Sequence, residues 1–300
     1  MRFSLLQRVE RVVPPPTPRL RRAGNALGGL ALILFGSAFS SPAAPLRIAS
    51  LSTVLTEFTV AVGGPDVAVT GLIRPGVDPH TFEPSPRDLA GLRDYDLILA
   101  AGLDLDPGLV KAVGNAGGSA AWVNLSPDPD PHWWNSVVAA ETIVRRLTAE
   151  LVRRRPAAAA GFNARGTALL ANLTRLDQDC RSRLAAIAPR RRVLVTTHDA
   201  FAWFARDYGF QVYPLSGVNA EAEPNAREVA RIVDEIHRAG VTTLFFESAA
   251  NPHLIAALAE ETGARAGGML YADGLSPDGD GTTYVGMIQH NISTLVDGLK

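Results

Sequence analysis

Short apolar runs alternate with longer amphipathic stretches along the chain after residue 45. The runs DLILAAG at 96–102 and RRVLVTT at 191–197 have the length of strands and are nearly continuous in apolar character. Strands of this kind occur in parallel sheets that helices cover on both faces, whereas strands with one solvated face alternate apolar and polar residues. The pattern therefore predicts an α/β fold built from parallel sheets flanked by helices.

The pattern divides into two similar halves. The first half predicts strands at 46–50, 67–71, 96–102 and 120–125, with helices at 52–62, 85–93 and 107–113. The second half predicts strands at 191–197, 210–215, 241–247 and 264–270, with helices at 200–208, 226–239, 252–262 and 284–299. The repetition is one of pattern, because no sequence repeat relates the halves. We expect two α/β lobes with a cleft between them.

A long helical stretch separates the two halves. A helix over 136–155 is halted by Pro156, and residues 157–187 then carry apolar positions at roughly helical spacing, among them Leu169, Leu173 and Leu176. One more surface helix is the alternative, but the length suits a rigid connection between lobes better. The predicted boundaries are 45–156 for the N-terminal lobe, 157–188 for the connecting helix and 189–300 for the C-terminal lobe.

Residues 1–44 have the composition of a secretory signal peptide. An arginine-rich leader precedes the apolar segment GLALILF, and small residues follow it, so cleavage is expected after Ser40 or Ala44. A permanent transmembrane anchor is the alternative, but the strongly apolar core is shorter than the span of about 20 residues that a membrane requires. The sequence therefore predicts export to a bacterial periplasm. Arg21 and Arg22 are only a weak indication of twin-arginine export.

Charge and cysteine content argue against several kinds of ligand and site. The formal net charge is −1, but six arginines and one glutamate fall within residues 1–45, which leaves 23 basic and 29 acidic residues, a net of −6. A mildly acidic body is unsuited to nucleic acid and is compatible with a cationic ligand. Cys180 is the one cysteine of the chain, so neither an internal disulfide nor a cysteine-only metal site can form.

One loop of the N-terminal half is built to hold a histidine in place. The segment GLIRPGVDPHTFEPSPRDL follows the second predicted strand, and Pro79 and Pro84 restrict the backbone on either side of His80. Ser85 is expected to cap the next helix, with Pro86 in its first turn. A stiff loop after a strand is a suitable place for a ligand to a metal ion.

Three more residues of metal-binding type occupy equivalent places after predicted strands. His132 follows the fourth strand, His198 follows the fifth and Asp273 follows the last. In open α/β sheets, ligands bind beyond the carboxyl ends of the strands. Three imidazoles and one carboxylate suit zinc. The sequence therefore predicts one metal site formed by His80, His132, His198 and Asp273.

The remaining candidates are weaker. His237, His253 and His290 lie within or at the start of predicted helices and are expected to be structural or solvated. Asp278 and Asp280 lie in a glycine- and proline-rich turn, where aspartate commonly stabilises the backbone. Glu247 also follows a strand, and it is a weaker candidate for an acid that lies near the metal or supports one of its ligands.

Several motifs together resemble the periplasmic metal-binding proteins of zinc and manganese ABC transporters, the cluster A-I or ZnuA/TroA-like family. They cover nearly all of the chain after the signal peptide: GVDPHTFEPSPRDL, PHWW, TTHDAFAWFARDYG, GVNAEAEPNAREVARIV, LFFESAANPHLIAALAEETGA and LYADGLSPDGDGTTYVGMIQHN. The resemblance implies two α/β lobes joined by a rigid helix. It also implies that His80, His132, His198 and Asp273 are the metal ligands.

The resemblance carries expectations about cargo and partners. It implies a monomeric, non-enzymatic binding protein that delivers a divalent ion to an inner-membrane permease with its own ATPase. A histidine at position 198, where some members have glutamate, favours zinc over the harder Mn²⁺. No histidine-rich loop occurs within 103–130, however, so manganese and ferrous iron stay open.

Two other classes of protein are alternatives. A zinc hydrolase would need an open coordination position and a general base, and the chain has no H-E-x-x-H motif. A metal-sequestering or adhesive surface protein would share the site without a transporter.

Overall fold

The computed structural model describes residues 44–102, 107–116, 118–126, 128–214, 226–247 and 252–300. Apart from Ala44, the predicted signal peptide lies outside these ranges. Within the described ranges, no helix combines the length and the apolar character that crossing a membrane requires.

A four-stranded parallel sheet forms the N-terminal half, as predicted. Its strands stand in the order β2-β1-β3-β4, where β1 is Leu46–Ser50, β2 is Val67–Gly71, β3 is Leu97–Ala100 and β4 is Ala121–Asn124. The flanking helices are α1 (Thr53–Gly63), α2 (Pro86–Gly91) and α3 (Pro107–Ala116). All of β3 is buried, which agrees with its continuous apolar sequence. The carboxyl ends of the four strands share one edge because every pairing is parallel.

The C-terminal half contains two parallel strand pairs. Strand β5 (Val193–Thr196) pairs with β6 (Gln211–Pro214), and β7 (Thr243–Glu247) pairs with β8 (Arg265–Leu270). The helices of this half are α6 (Ala202–Tyr208), α7 (Ala226–Ala239), α8 (Pro252–Thr262) and α9 (Tyr284–Leu299). A bulge interrupts the β7–β8 register between Leu244 and Phe245. The predicted parallel α/β class is therefore confirmed here as well.

Two long helices occupy the middle of the chain, α4 (Val137–Arg154) and α5 (Ala159–Leu184). Helix α5 has 26 residues and packs against α4, α1 and α9. Near its start, Arg165 donates hydrogen bonds to the carbonyls of Val62 and Gly63 at the end of α1. Near its end, Arg183 donates to the hydroxyl of Ser293 in α9. The helix thus holds elements of both halves together along its length.

The interior is shared between the halves. One continuous cluster of buried apolar side chains includes Ile48 and Leu97 from the first sheet, Leu173 from α5, and Phe245 and Leu295 from the C-terminal half. The contacts of residues 44–300 form one compact unit. The predicted lobe boundaries at 156 and 188 stay predictions.

The segment that links β4 to α4 contains a short helical turn. His132–Asn135 forms one turn of 3₁₀ helix, and Ser136 caps α4 through the backbone N–H of Ala139. Trp133 and Trp134 are both buried, and burial of two large aromatic side chains supplies the driving force that folds this polar segment onto the core. The predicted cap at Ser85 is confirmed, as its hydroxyl accepts from the N–H of Asp88 in a capping box.

Candidate metal centre

His80 lies in the loop between β2 and α2. The carboxylate of Asp78 accepts a hydrogen bond from the backbone N–H of His80 at 2.8 Å, which tightens the turn between the two residues. In the same loop, the N–H of Gly76 donates to the carbonyl of Leu275 at 2.9 Å. The His80 loop therefore rests directly against the loop that carries Asp273.

His132 begins the 3₁₀ turn that follows β4. Asp130 accepts both its backbone N–H at 3.0 Å and a hydrogen bond from its Nδ1 at 2.9 Å. The backbone reaches this position because Gly102, with φ of +91°, brings the end of β3 against Pro131. Within the turn, Trp133 donates its indole N–H to the carbonyl of Ala101. The turn is thereby held to the edge of the first sheet.

His198 lies two residues beyond the end of β5. The hydroxyl of Thr196 donates to the carbonyl of His198 at 2.8 Å. Glu247, the last residue of β7, accepts a hydrogen bond from the Nδ1 of His198 at 2.5 Å. This side chain thus depends on both strand pairs of the C-terminal half.

Asp273 follows β8 on a segment fixed from three sides. Asn291 of α9 bonds both the N–H and the carbonyl of Tyr271. The carbonyl of Ala272 accepts from the indole of Trp134 at 2.7 Å and from the amide of Asn135 at 3.0 Å. The turn that carries His132 therefore also positions the backbone next to Asp273.

The structure brings the four predicted side chains together. One ligand atom from each of His80, His132, His198 and Asp273 lies within 4.8 Å of the other three. The Nε2 atoms of His80 and His132 are 3.1 Å apart. The Oδ1 atom of Asp273 is 3.0 Å from the Nε2 of His198, 3.5 Å from that of His80 and 3.7 Å from that of His132.

These separations fit a single small cation. Ligand atoms placed tetrahedrally around zinc at about 2.0–2.1 Å are about 3.3 Å from one another. Four of the six separations between these atoms are 3.0–3.7 Å and lie on both sides of that value, and all six are within 4.8 Å. All three imidazoles present Nε2 to the same centre, which is the arrangement required of nitrogen ligands to one ion.

When no ion is bound, the electrostatics of the cluster favour a charged carboxylate at Asp273 and a protonated imidazole at His198. Burial alone would raise the pKa of Asp273, but hydrogen bonds from the three imidazoles outweigh it and hold this pKa well below its usual range. Burial alone would lower the pKa of His198, but Asp273 and Glu247 on its two sides raise it to about 10. For His132, hydrogen bonds to Asp130 and Asp273 outweigh burial in the same way and raise the pKa.

The cluster is closed on the histidine side and open on the aspartate side. The three imidazoles are at most 1% exposed, whereas the side chain of Asp273 is 10% exposed. A cavity of about 250 Å³ lies at Asp273 between the two loops, lined by Gly76, Asp78 and Pro277 among others. Asp273 is therefore the member of the cluster that faces the approach from solvent.

The other candidates have structural surroundings in the described parts of the chain. His290 bonds the carbonyl of Met269 through Nε2 at 3.0 Å, and His237 is exposed on α7. The side chain of His253 lies outside the described residues. Asp278 and Asp280 lie in the turn after Ser276, whose hydroxyl donates to the carbonyl of Asp278. Glu247 contacts His198 from behind and is not a member of the four-residue cluster.

Sequence reasoning did not single out three residues that position the cluster. They are Asp130, Asn135 and Asn291. The D-x-H spacing of Asp130 and His132 is a signal for the first, because an aspartate often bonds the backbone two residues further on. No local signal identifies the two asparagines, whose partners are more than 15 residues away in sequence.

Comparison with known proteins agrees with this geometry. Residues 48–298 match the family model described as ZnuA, zinc-uptake complex component A, periplasmic. The manganese-binding lipoprotein MntA of Bacillus subtilis is 31% identical over 284 residues, covering 88% of this chain and 93% of MntA. The iron-binding protein YfeA of Yersinia pestis is 28% identical, covering 86% of this chain and 88% of YfeA.

A solved structure shares the fold. The periplasmic zinc-binding protein TroA from Treponema pallidum superposes with a TM-score of 0.77 at 30% identity, covering 85% of this chain and 99% of TroA. The family match includes helix α5, both strand pairs of the C-terminal half and all four residues of the cluster. The chain therefore belongs to the ZnuA/TroA family of substrate-binding proteins of metal ABC transporters.

Proposed function

We propose that this protein captures a zinc ion in the periplasm and delivers it to an inner-membrane permease for uptake. The observation that carries the proposal is the convergence of His80, His132, His198 and Asp273 on one centre, with all ligand atoms within 4.8 Å of one another and four of their six separations at 3.0–3.7 Å. In this proposal the four side chains are the complete set of protein ligands, and the ion is the cargo.

The donor set supports zinc as the cargo. Three neutral imidazole nitrogens and one carboxylate oxygen are ligands that zinc accepts in tetrahedral sites. Manganese prefers a larger share of oxygen ligands, and only one oxygen ligand is supplied by this cluster. The relatives named for manganese and iron make those ions the competing candidates, and a direct competition distinguishes them.

The arrangement supports capture rather than catalysis. A catalytic zinc site has three protein ligands and keeps a position for water. Here a fourth side chain, Asp273, lies 3.0–3.7 Å from the Nε2 atoms of all three histidines, and in this proposal it takes the position that water would need. The cluster is well suited to hold an ion and poorly suited to activate water on it.

Delivery requires partners that this chain does not supply. The sequence contains no G-x-x-x-x-G-K-[ST] motif for nucleotide phosphates. Energy for transport would come from an ATPase associated with the permease. We propose that the exported protein acts as a monomer after its signal peptide is removed.

Isothermal titration calorimetry on the metal-stripped protein tests the site. We expect one zinc ion per chain, with affinity lowered at least about tenfold by His80→Ala and by His198→Ala, since each change removes one of four ligands. His237→Ala is the matched control because that histidine is exposed on α7. Unchanged binding in both site variants would refute the ligand assignment.

Competition identifies the cargo. Zinc, manganese and ferrous iron are offered to the stripped protein in buffered equimolar mixtures, and the bound metal is measured by elemental analysis. Zinc binds most nitrogen and oxygen ligands more tightly than manganese, as the Irving–Williams order describes, and a flexible chelator with the same donors gives the size of this general preference. We expect the ratio of bound zinc to bound manganese to be higher on the protein than on that chelator. Retention of manganese against zinc would assign the protein to manganese uptake instead.

A further inference from the structure

Glu247 lies behind the metal cluster, at the carboxyl end of β7. Its side chain is buried, and it extends from β7 to the segment that follows β5. It is not one of the four side chains that converge on the centre. A buried carboxylate in this position needs hydrogen-bond donors, because an unpaired buried charge is costly.

Four donors converge on the two oxygens of Glu247. The Oε1 atom accepts from the backbone N–H of Thr197 at 2.9 Å and from that of His198 at 3.5 Å. The Oε2 atom accepts from the hydroxyl of Thr197 and from the Nδ1 of His198, the latter at 2.5 Å. The carboxylate therefore fixes the backbone before His198 and the far side of its ring at the same time.

The hydrogen bond at Nδ1 determines which ring nitrogen can bind a metal. An ionised carboxylate only accepts hydrogen bonds, so Nδ1 must carry a proton. The nitrogen left to coordinate is Nε2, which lies 3.0 Å from the Oδ1 of Asp273. We propose that Glu247 is a positioning residue that holds His198 as an Nε2 ligand and thereby sets the metal affinity of the site. This inference rests on the proposed metal-capture function.

The three histidines of the cluster differ in whether a carboxylate bonds their Nδ1 atom and in how buried that carboxylate is. His132 is backed by Asp130 at 2.9 Å, but the side chain of Asp130 is 21% exposed, compared with 3% for Glu247. The Nδ1 of His80 is buried and has no hydrogen-bond partner among the described residues. His198 thus has the most buried of the observed carboxylate partners, and water competes least for that bond.

Glu247→Gln is the informative substitution. An amide has one oxygen that accepts and one nitrogen that donates. Whichever way the amide is oriented, its NH₂ group faces a hydrogen-bond donor, which is the backbone N–H of Thr197 in one orientation and the Nδ1–H of His198 in the other. With NH₂ toward the ring, Nδ1 must accept, and the proton moves to Nε2, the atom that the metal needs. The change therefore opposes coordination while it preserves the size of the side chain.

The experiment measures zinc affinity by chelator competition at pH 8 in wild type and variants. We expect Glu247→Gln to lower affinity by about 10–100-fold, the range typical of partners that orient metal ligands. Thr197→Val removes the hydroxyl donor and keeps the bond to Nδ1, so it should change affinity less than about threefold if the effect of Glu247 acts through the imidazole. Glu235→Gln, on the partly exposed Arg231–Glu235 pair of α7, controls for loss of a negative charge.

A spectroscopic measurement on the wild type tests the inference without requiring any variant to fold. Two-bond ¹H–¹⁵N correlations of the zinc-loaded protein should show His198 protonated at Nδ1 and metal-bound at Nε2. Protonation at Nε2, or equal zinc affinity of Glu247→Gln and wild type, would overturn the inference. Failure of the wild type itself to bind zinc, manganese or iron would instead refute the proposed function.

Discussion

Asp273 is the residue of the cluster that interacts with all three of the others. Its Oδ1 atom lies 3.0–3.7 Å from the Nε2 atoms of all three histidines. When no ion is bound, its negative charge favours protons on the same nitrogens that would bind a metal. Asp273 therefore stabilises the metal-free cluster by accepting hydrogen bonds, and in the proposed function it stabilises the loaded cluster as a ligand.

The first prediction follows from the protons on the cluster. Because the pKa of His198 is raised to about 10 and that of His132 is also raised, an incoming ion must displace protons at neutral pH. We expect zinc binding at pH 7 to release at least one proton. For each proton released, the apparent affinity should fall by up to about tenfold for every unit by which the pH decreases. Calorimetry in buffers of different ionisation enthalpy measures the release.

The control for that measurement is His237→Ala, which should release the same number of protons as the wild type. Affinity independent of pH between 6 and 8 would contradict the prediction.

The loops at the strand ends position the ligands through close backbone contacts. At Gly102 an added Cβ would lie 2.4 Å from the Cα of Pro131, the residue before His132, and the φ of +91° is unfavourable for other residues. The contact is between two stretches of backbone, so no side-chain rotation relieves it. The loop conformation and the position of His132 are thus coupled.

The second prediction concerns that contact. Gly102→Ala is expected to lower the free energy of unfolding by more than about 1 kcal/mol and to weaken zinc binding, because Pro131 and His132 must shift. Urea unfolding and calorimetry measure the two effects.

Gly91→Ala is its matched control, because φ at Gly91 is −68° within the short helix α2 and an added Cβ would meet no atom within 4 Å. Alanine there should be neutral or stabilising by up to about 1 kcal/mol. Equal effects of the two substitutions would show that the close approach at Gly102 is unimportant.

The element predictions from sequence differ in quality for physical reasons. Boundaries of α7, α8 and α9 match the structure because the apolar spacing and local stop signals determine them. The one-turn helix at His132 was missed since its apolar residues, Trp133 and Trp134, are only two and are buried by distant partners. Local periodicity cannot detect an element of about one turn, because no apolar position recurs within it.

At the scale of the whole molecule, the two halves share one apolar interior. The buried cluster extends from the first sheet through α5 to α9 without interruption. Hydrogen bonds reinforce this connection, since Thr53 of α1 accepts from the N–H of Leu275 and Glu57 accepts from the N–H of Tyr284. Independent motion of two lobes would require these contacts to break.

The third prediction is cooperative unfolding. We expect the metal-free protein without its signal peptide to unfold in one calorimetric transition, with calorimetric and van't Hoff enthalpies equal. Free zinc at about 1,000 times the dissociation constant should stabilise it by about 4 kcal/mol, because only the folded state holds the complete site. Two separate transitions would show that the halves have independent cores.

The sequence alone determined the parallel α/β class, the order of strands and helices, and the four residues that meet at the centre. It could do so because near-continuous apolar runs identify buried parallel strands, and the carboxyl ends of such strands share an edge where polar residues collect. The distances within the cluster, the closure on the histidine side and the support from Asp130, Glu247 and Asn135 depended on the folded chain. These features arise from contacts between residues 49 or more positions apart, or from turns fixed by such contacts, and neither composition nor local periodicity encodes them.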